Sequence, residues 1–180
     1  MLIAKKLKDE NIAEYLLYMW QVEDLIRASN FDIEKIDDRI ISKFDEPENI
    51  KKEIRDWYEN LIDMMRREDI AENGHLIINK NVISELTDLH QRLLKSPEEK
   101  EYNEVYYKTL PVIVELRAKS QSANVPELET AFSALYGYLL MKLRQKEISG
   151  ETQAAILQIS SFLKFLAQRY KKEKTGEPDI

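Results

Sequence analysis

The sequence predicts an all-α fold: an up-and-down antiparallel bundle of six to seven helices, one of which is kinked at Pro111. Its 180 residues include only four Gly and five Pro, too few for the tight turns of an all-β protein. Helix start and stop signals recur along the chain. The last segment also repeats apolar residues at steps of three and four, as one face of a helix requires: Ile156, Ile159, Phe162, Leu163, Phe165, Leu166 and Tyr170.

The start signals of the first two helices are polar side chains that cap free backbone N–H groups. Asn11 is the predicted N-cap of a helix over residues 12–28, with Glu14 as its reciprocal partner. Asp32 caps a second, short helix that ends at Phe44.

Proline and glycine mark the limits of the third helix. Pro47 lies in its first turn, and the helix covers residues 47–73. Gly74 then provides a left-handed stop. The fourth helix starts at Asn79 or Asn81 and ends at residue 95.

The strongest local signal is Ser96-Pro97-Glu98-Glu99, which combines an N-cap serine, a proline at the first helical position and a glutamate at the third. The helix that it starts runs to residue 120 and contains Pro111. Because proline lacks an N–H and its ring clashes with the preceding turn, a kink is predicted there.

Two more helices complete the predicted bundle. Residues 124–127 open a helix that ends near residue 148, and Ser149-Gly150 breaks the chain before a last helix over residues 151–172. Residues 175–180 are expected to fray. A chain of this length forms one domain, predicted to span residues 1–180.

Charge is distributed unevenly over a chain whose formal net charge is −6. Residues 32–63 carry eleven acids and six bases, a net −5, and residues 142–174 carry eight bases and three acids, a net +5. These are either ordinary solvated faces that attract one another or a basic end that meets an acidic partner or a second copy. The overall negative charge argues against nucleic acid as the partner.

Cysteine is absent, which excludes disulfides, thiolate metal sites and a cysteine nucleophile. Charged residues interrupt the apolar runs of the first ten residues, which argues against a secretory signal. No stretch approaches the roughly 18 uncharged apolar residues of a membrane span. The sequence therefore predicts a cytoplasmic protein without a membrane partner.

No cofactor or metal site is predicted. Glu72 and His75 form the one Glu-x-x-His match, but it falls at a predicted helix end containing Gly74, where the spacing no longer places both side chains on one face. The other histidine is His90, so a three-histidine site is excluded.

Two charged residues lie on apolar stripes. Glu23 follows the spacing of Leu16 and Met19, and Arg117 follows that of Leu110 and Ile113. A buried charge needs a partner, so these two residues are candidates for an ion pair in or near the core. Two alternatives stay open: Glu23 pairs with Arg27 on its own helix, or both charges lie at stripe edges and extend to solvent.

Tyrosines flank the proline in the fifth predicted helix and recur in the sixth. Tyr106, Tyr107 and Tyr136 are candidates for the wall of a cleft beside the kink at Pro111. The other interpretations are a core edge or a subunit interface. No base–nucleophile pair accompanies these rings, so no catalytic residue is assigned.

The segments LIAKKLKDENIAEYLLYMWQVEDLIRA and NKNVISELTDLHQRLL resemble a small bacterial all-helical family catalogued as a domain of unknown function. The resemblance covers nearly the whole chain. It implies an all-α fold and a bacterial cytosolic setting, and it supplies no activity or site residue.

The leading functional interpretation is a non-enzymatic helical protein that binds another protein or itself as a homodimer. Its basis is the broad apolar faces of the first and last helices and the charge asymmetry. The alternative is a small-molecule binder or enzyme with a cleft near Pro111. Nucleic-acid binding through the basic C-terminal end is the third interpretation.

Overall fold

The computed structural model describes residues 2–119 and 125–176, and all regular structure in these ranges is helical. The α-helices are α1 Leu2–Glu10, α2 Ile12–Ala28, α3 Ile33–Arg39, α4 Glu48–Arg67, α5 Ile77–Lys95, α6 Lys100–Lys119, α7 Glu127–Leu143 and α8 Gly150–Thr175, with a short 3-10 helix at Ile41–Lys43. The all-α prediction is therefore confirmed. The described residues contain eight α-helices instead of six or seven, because α1, at nine residues, is too short to show a helical period.

Two of the predicted caps are present, at Asn11 and Asp32, and Ser149, predicted only as part of a chain break, forms a third. Asn11 Oδ1 accepts the Ala13 N–H at 3.1 Å, and Asp32 Oδ1 accepts the Glu34 N–H at 3.0 Å. At the start of α8, Ser149 Oγ accepts the Thr152 N–H at 3.2 Å. Each cap stabilises its helix start by satisfying one N–H that has no partner inside the helix.

Several predicted boundaries were wrong by a few residues. Helix α4 ends at Arg67 because Asp69 adopts a left-handed φ of 53°. Gly74 has the predicted positive φ of 91°, but it lies in the α4–α5 loop (residues 68–76) and does not cap a helix. Helix α7 likewise ends at Leu143, before a left-handed Gln145.

The segment from Ser96 to Glu99 forms a turn before α6 and not its first helical residues. The Glu99 N–H donates to the Ser96 carbonyl at 3.3 Å, and the Glu99 carbonyl accepts the Asn103 N–H at 3.0 Å. The helix therefore starts at Lys100, and it continues through Pro111.

The chain divides into two compact units: unit 1 comprises Met1–Glu10 and Glu14–Asn81, and unit 2 comprises Asn11–Ala13 and Val82–Ile180. In unit 1, α3 and the 3-10 helix pack on α4. In unit 2, α6, α7 and α8 pack on one another. The predicted apolar stripe of α8 supplies much of the buried surface, with Ile159 and Phe162 fully buried. Whether both units form one domain over residues 1–180 stays a prediction.

The end of α8 lies beyond its predicted limit. The helix ends at Thr175, and Gly176 follows with a left-handed φ of 67°. Residues 177–180 of the predicted frayed tail are outside the described residues. None of the helices in the described ranges is long and apolar enough to cross a membrane.

Candidate functional sites

Glu23, one of the predicted site residues, lies on α2 with its side chain completely buried. Its Oε1 accepts the Leu76 N–H at 2.9 Å and the Asn79 Nδ2–H at 2.6 Å. Its Oε2 accepts the His75 Nδ1–H at 2.6 Å. The buried charge is thus satisfied by three donors, and the carboxylate caps the start of α5 from another helix.

His75 is positioned by both of its neighbours. Its ring stacks on Trp20, with centroids 4.1 Å apart and an interplanar angle of 12°. Because an ionised carboxylate only accepts, the contact with Glu23 places a ring proton on Nδ1. No hydroxyl group of the described residues hydrogen-bonds to His75, so the pair lacks the nucleophile that a hydrolytic dyad requires.

Arg27 holds the α4–α5 loop against α2. Its Nη1 contacts Asp24 at 2.9 Å. Its Nε and Nη2 donate to the Ile70 carbonyl at 3.3 and 3.2 Å, and Nη2 also donates to the Gly74 carbonyl. The alternative ion pair of Arg27 with Glu23 is therefore wrong. The Arg27 guanidinium binds carbonyls of the α4–α5 loop, whereas the Glu23 carboxylate binds donors at the start of α5.

Unit 2 contains an open cavity of about 460 Å³, which we call the α6–α7 cavity. Its wall includes two predicted site residues, Tyr106 and Arg117. The other two predicted tyrosines do not belong to it: Tyr107 is 61% exposed, and Tyr136 lies further along α7. The remaining residues that matter for its chemistry are Thr87, His90, Leu94, Val125, Glu127 and Leu128.

The polar groups of the α6–α7 cavity are held in place by short hydrogen bonds. The Tyr106 hydroxyl donates to Glu127 Oε2 at 2.6 Å. Burial raises the pKa of Tyr106, as does its hydrogen bond to Glu127, while the charge of Arg117 acts in the opposite direction. The Tyr106 phenol therefore stays protonated and remains a donor to Glu127.

His90, which the sequence did not single out, is a second fixed group of this cavity. Its Nδ1 shares a hydrogen bond of 2.6 Å with the Tyr102 hydroxyl. The ring packs edge-on against Tyr106 and Phe162, with centroids 4.7 and 5.6 Å away. Burial lowers the pKa of His90, and Glu127 opposes that shift. The ring is therefore held neutral and in one orientation at neutral pH.

Glu23 and Arg117, the predicted ion pair, belong to different units of the chain. Both oxygens of Glu23 are engaged within unit 1, and Arg117 lines the α6–α7 cavity of unit 2. Their pairing stays a prediction.

The C-terminal half of α7 is a third candidate site, which we call the α7 surface (residues 134–141 with Leu143). Residues 134–141 read ALYGYLLM, and each of the eight is half-buried. Leu143, one turn further, is 66% exposed. Beside Gly137 there is open space: a Cβ added there would meet no atom of the described residues within 4 Å. The N-terminal half of the same helix is instead anchored by buried Leu128, Ala131 and Phe132.

A metal centre has no support in the described residues, among which no three His, Asp or Glu side chains are grouped to hold an ion. The fold and these sites define an all-helical protein whose distinctive features are a buried carboxylate cap, a polar cavity and a partly exposed apolar helix surface. The chain belongs to the family described as Domain of unknown function (DUF4924), whose family model matches residues 1–177. No curated protein and no solved structure matches it.

Proposed function

We propose that the protein acts by self-association, with the α7 surface as the contact between two copies. The observation that carries this proposal is the run of eight consecutive apolar residues, 134–141, none of which is buried. A helix that is apolar on all sides is normally enclosed by other structure. Here half of α7 meets that description without being enclosed, and the exposed Leu143 extends the apolar area.

A second copy is the occupant that the chemistry of α7 favours. The helix starts with Glu127 and Glu129 and ends with Lys142, followed by Arg144 and Lys146. An antiparallel pair of α7 helices, related by a two-fold axis, directs the acidic end of each helix toward the basic end of the other. The dipoles of the two helices are then antiparallel, and this arrangement is favourable.

Gly137 lies in the middle of the apolar run, where a helix-favouring residue would be expected. Glycine destabilises a helix interior by about 1 kcal/mol relative to alanine, and no neighbouring atom of the described residues fills the space beside it. Close approach of a second helix backbone explains the residue, because only glycine leaves room for it.

The charge asymmetry of the chain supports the same proposal. Residues 32–63 are net acidic and residues 142–174 are net basic, so two copies offer each other complementary charge. Such steering accelerates association and weakens with added salt.

The finer expectations of the sequence belong to this proposal as well. We take the helices to form an up-and-down antiparallel arrangement, α6 to bend at Pro111, and the protein to work in the cytoplasm without catalysing a reaction. The short connection between α5 and α6 supports the antiparallel arrangement, and the position of Pro111 inside α6 supports the bend. The lack of cysteine is compatible with a cytoplasmic protein.

Light scattering coupled to size-exclusion chromatography tests the proposal. We expect the wild-type protein to have the mass of a dimer and Leu143→Glu to have that of a monomer with an unchanged helical circular-dichroism spectrum. Leu157→Glu is the matched control, because Leu157 lies on α8 and is 69% exposed, against 66% for Leu143. A wild-type monomer at every concentration, or loss of the dimer in both variants alike, contradicts the proposal.

A further inference from the structure

We propose that Asn73, in the α4–α5 loop, is a site of spontaneous deamidation, and that its conversion to isoaspartate weakens the attachment of this loop to α2. The site is independent of the proposed self-association, because the loop lies in unit 1 and the α7 surface lies in unit 2. Asn73 is followed by Gly74, and no other asparagine of the chain precedes a glycine. Glycine has no side chain that would hinder reaction of its backbone nitrogen with the preceding residue.

Both reacting groups are available in the folded chain. The Asn73 side chain is exposed, and no hydrogen bond joins it to another described residue. The Gly74 N–H likewise makes no hydrogen bond within the described ranges. In a helix or a sheet this N–H would be engaged with a carbonyl group. The reaction at Asn73 therefore requires no local unfolding that would first break such a bond.

The loop requires the glycine but not the asparagine. Gly74 has a φ of 91°, which other residues rarely adopt, and an added Cβ would lie 3.4 Å from Ile70 Cγ2. The amide of Asn73 has no hydrogen bond in the described residues that a substitution would break. Position 73 can therefore be changed in an experiment while the loop backbone is kept.

The reaction needs only the chain and water. The Gly74 backbone nitrogen attacks the side-chain carbonyl carbon of Asn73, and a C–N bond forms that closes a cyclic succinimide. The bond to the side-chain amide nitrogen breaks, and ammonia leaves with the proton of the Gly74 N–H. Water then opens the ring. Attack at the side-chain carbonyl gives aspartate, and attack at the main-chain carbonyl gives isoaspartate.

Isoaspartate adds one methylene group to the main chain directly before two anchored residues. The Gly74 carbonyl accepts Arg27 Nη2. The His75 ring is held by Glu23 Oε2 at 2.6 Å and by its stack on Trp20. Because these anchors fix the chain on α2, a longer main chain displaces at least one of them. Conversion should therefore weaken the attachment of the loop.

Both products also add a negative charge to the loop. Residues 68–76 already contain three acids and no Lys or Arg. Repulsion between exposed charges is weak and is screened by salt. The longer main chain of isoaspartate, and not the charge, should therefore be the main cause of the weakening.

Incubation of the folded protein at mildly alkaline pH tests the site. Loss of the Gly74 N–H proton makes the nitrogen more nucleophilic, so conversion should accelerate as the pH rises. Peptide mapping by mass spectrometry identifies the converted residue, and an isoaspartate-specific methyltransferase quantifies isoaspartate. We expect Asn73 to convert before any other asparagine. An Asn73 that stays intact, alone or while other asparagines convert, overturns the proposal.

Thermal unfolding tests the consequence. Converted wild type should melt several degrees below fresh wild type. Asn73→Gln, whose longer side chain closes a ring less readily, should melt alike before and after incubation. Fresh Asn73→Asp carries the added charge on a normal main chain and should melt close to fresh wild type. Equal melting of fresh and converted wild type, or a fresh Asn73→Asp that melts as low as the converted protein, overturns the proposed weakening.

Two arginine variants locate the effect. In Arg27→Gln the contact with the Gly74 carbonyl is already absent, so conversion should lower the melting temperature by less than in the wild type. Arg66→Gln is the control, because Arg66 lies on α4 in the same unit and donates to the Phe31 carbonyl at 3.2 Å; it should show the full loss. An equal loss in both variants excludes the Arg27 contact as the anchor that conversion weakens and overturns that part of the proposal.

Discussion

Glu23 Oε2 lies 2.6 Å from His75 Nδ1, across 52 residues of sequence. The same carboxylate accepts the N–H of Leu76 and the side-chain amide of Asn79. One buried charge of α2 therefore fixes the start of α5 and, through His75, the end of the α4–α5 loop. Because the carboxylate is completely buried, unit 1 depends on these contacts.

Glu23→Gln should destabilise the protein by about 1–3 kcal/mol, because the charged acceptor is lost while its shape is kept. For a chain of this size, each kcal/mol corresponds to a fall of roughly 2–4 °C in melting temperature, so a loss of several degrees is expected. Urea and thermal unfolding measure it.

The control for this prediction is Glu53→Gln, an exposed glutamate of α4 in the same unit. It should change the free energy of unfolding by less than about 0.5 kcal/mol. Equal stability of Glu23→Gln and the control would show that the network around Glu23 contributes nothing.

Glu68 supplies a second long-range cap for the same helix. Its Oε2 accepts the Ile77 N–H at 2.7 Å, so Glu68→Ala should destabilise by about 0.5–2 kcal/mol, the range of helix N-caps. Glu72→Ala, in the same loop and exposed, is the control and should be nearly neutral. Denaturant unfolding distinguishes the two, and the prediction is wrong if both variants lose the same stability.

These caps show where sequence reasoning reached its limit. Asn11 and Asp32 cap helices that start within two residues, so the local sequence contains the whole signal. Glu23 and Glu68 cap α5 from 53 and 9 residues away, and no local pattern marks them. The start of α5 was accordingly placed at residue 79 or 81 and not at Ile77.

Sequence reasoning identified candidate residues where a charged side chain occupies a position in an apolar helical stripe. Glu23 interrupts an apolar stripe, a pattern that left both a buried charge and a side chain extending to solvent open. The structure excludes the second for Glu23, whose side chain is completely buried, and its partners depend on tertiary packing. His90 follows Leu86 by four residues, and both are buried; the same test applied to α5 would have identified it. Tyr107 was misassigned because α6 turns it away from the cavity that Tyr106 lines.

His90 should make stability depend on pH. Burial lowers its pKa below the ordinary value of 6.5, so the unfolded chain binds a proton more readily than the folded one. The free energy of unfolding should therefore fall as the pH decreases below 6.5, and the His90 contribution should vanish above that value.

Unfolding of the wild type and of His90→Asn, measured between about pH 7.5 and about pH 5, separates this contribution from those of the carboxyl groups. His90→Asn should be less stable overall but show the weaker decline with falling pH. Titration of the ring by NMR provides the direct check: half-protonation at or above pH 6.5 would contradict the prediction.

A substitution at Gly137 should have opposite effects on the stability of the α7 helix and on the association of two copies. A Cβ added at this position meets no atom of the described residues within 4 Å, so Gly137→Gln should stabilise the isolated chain by about 0.5–1 kcal/mol, the gain of replacing glycine in a helix. If two α7 helices cross at this glycine, the new side chain separates their backbones and the dimer dissociates.

The unfolding measurement is made in the Leu143→Glu background, where association does not contribute, and light scattering is done without that second change. A variant that is more stable and still dimeric would exclude a crossing at Gly137. A more stable monomer is the expected result, because the side chain that improves the helix occupies the space that the second copy needs.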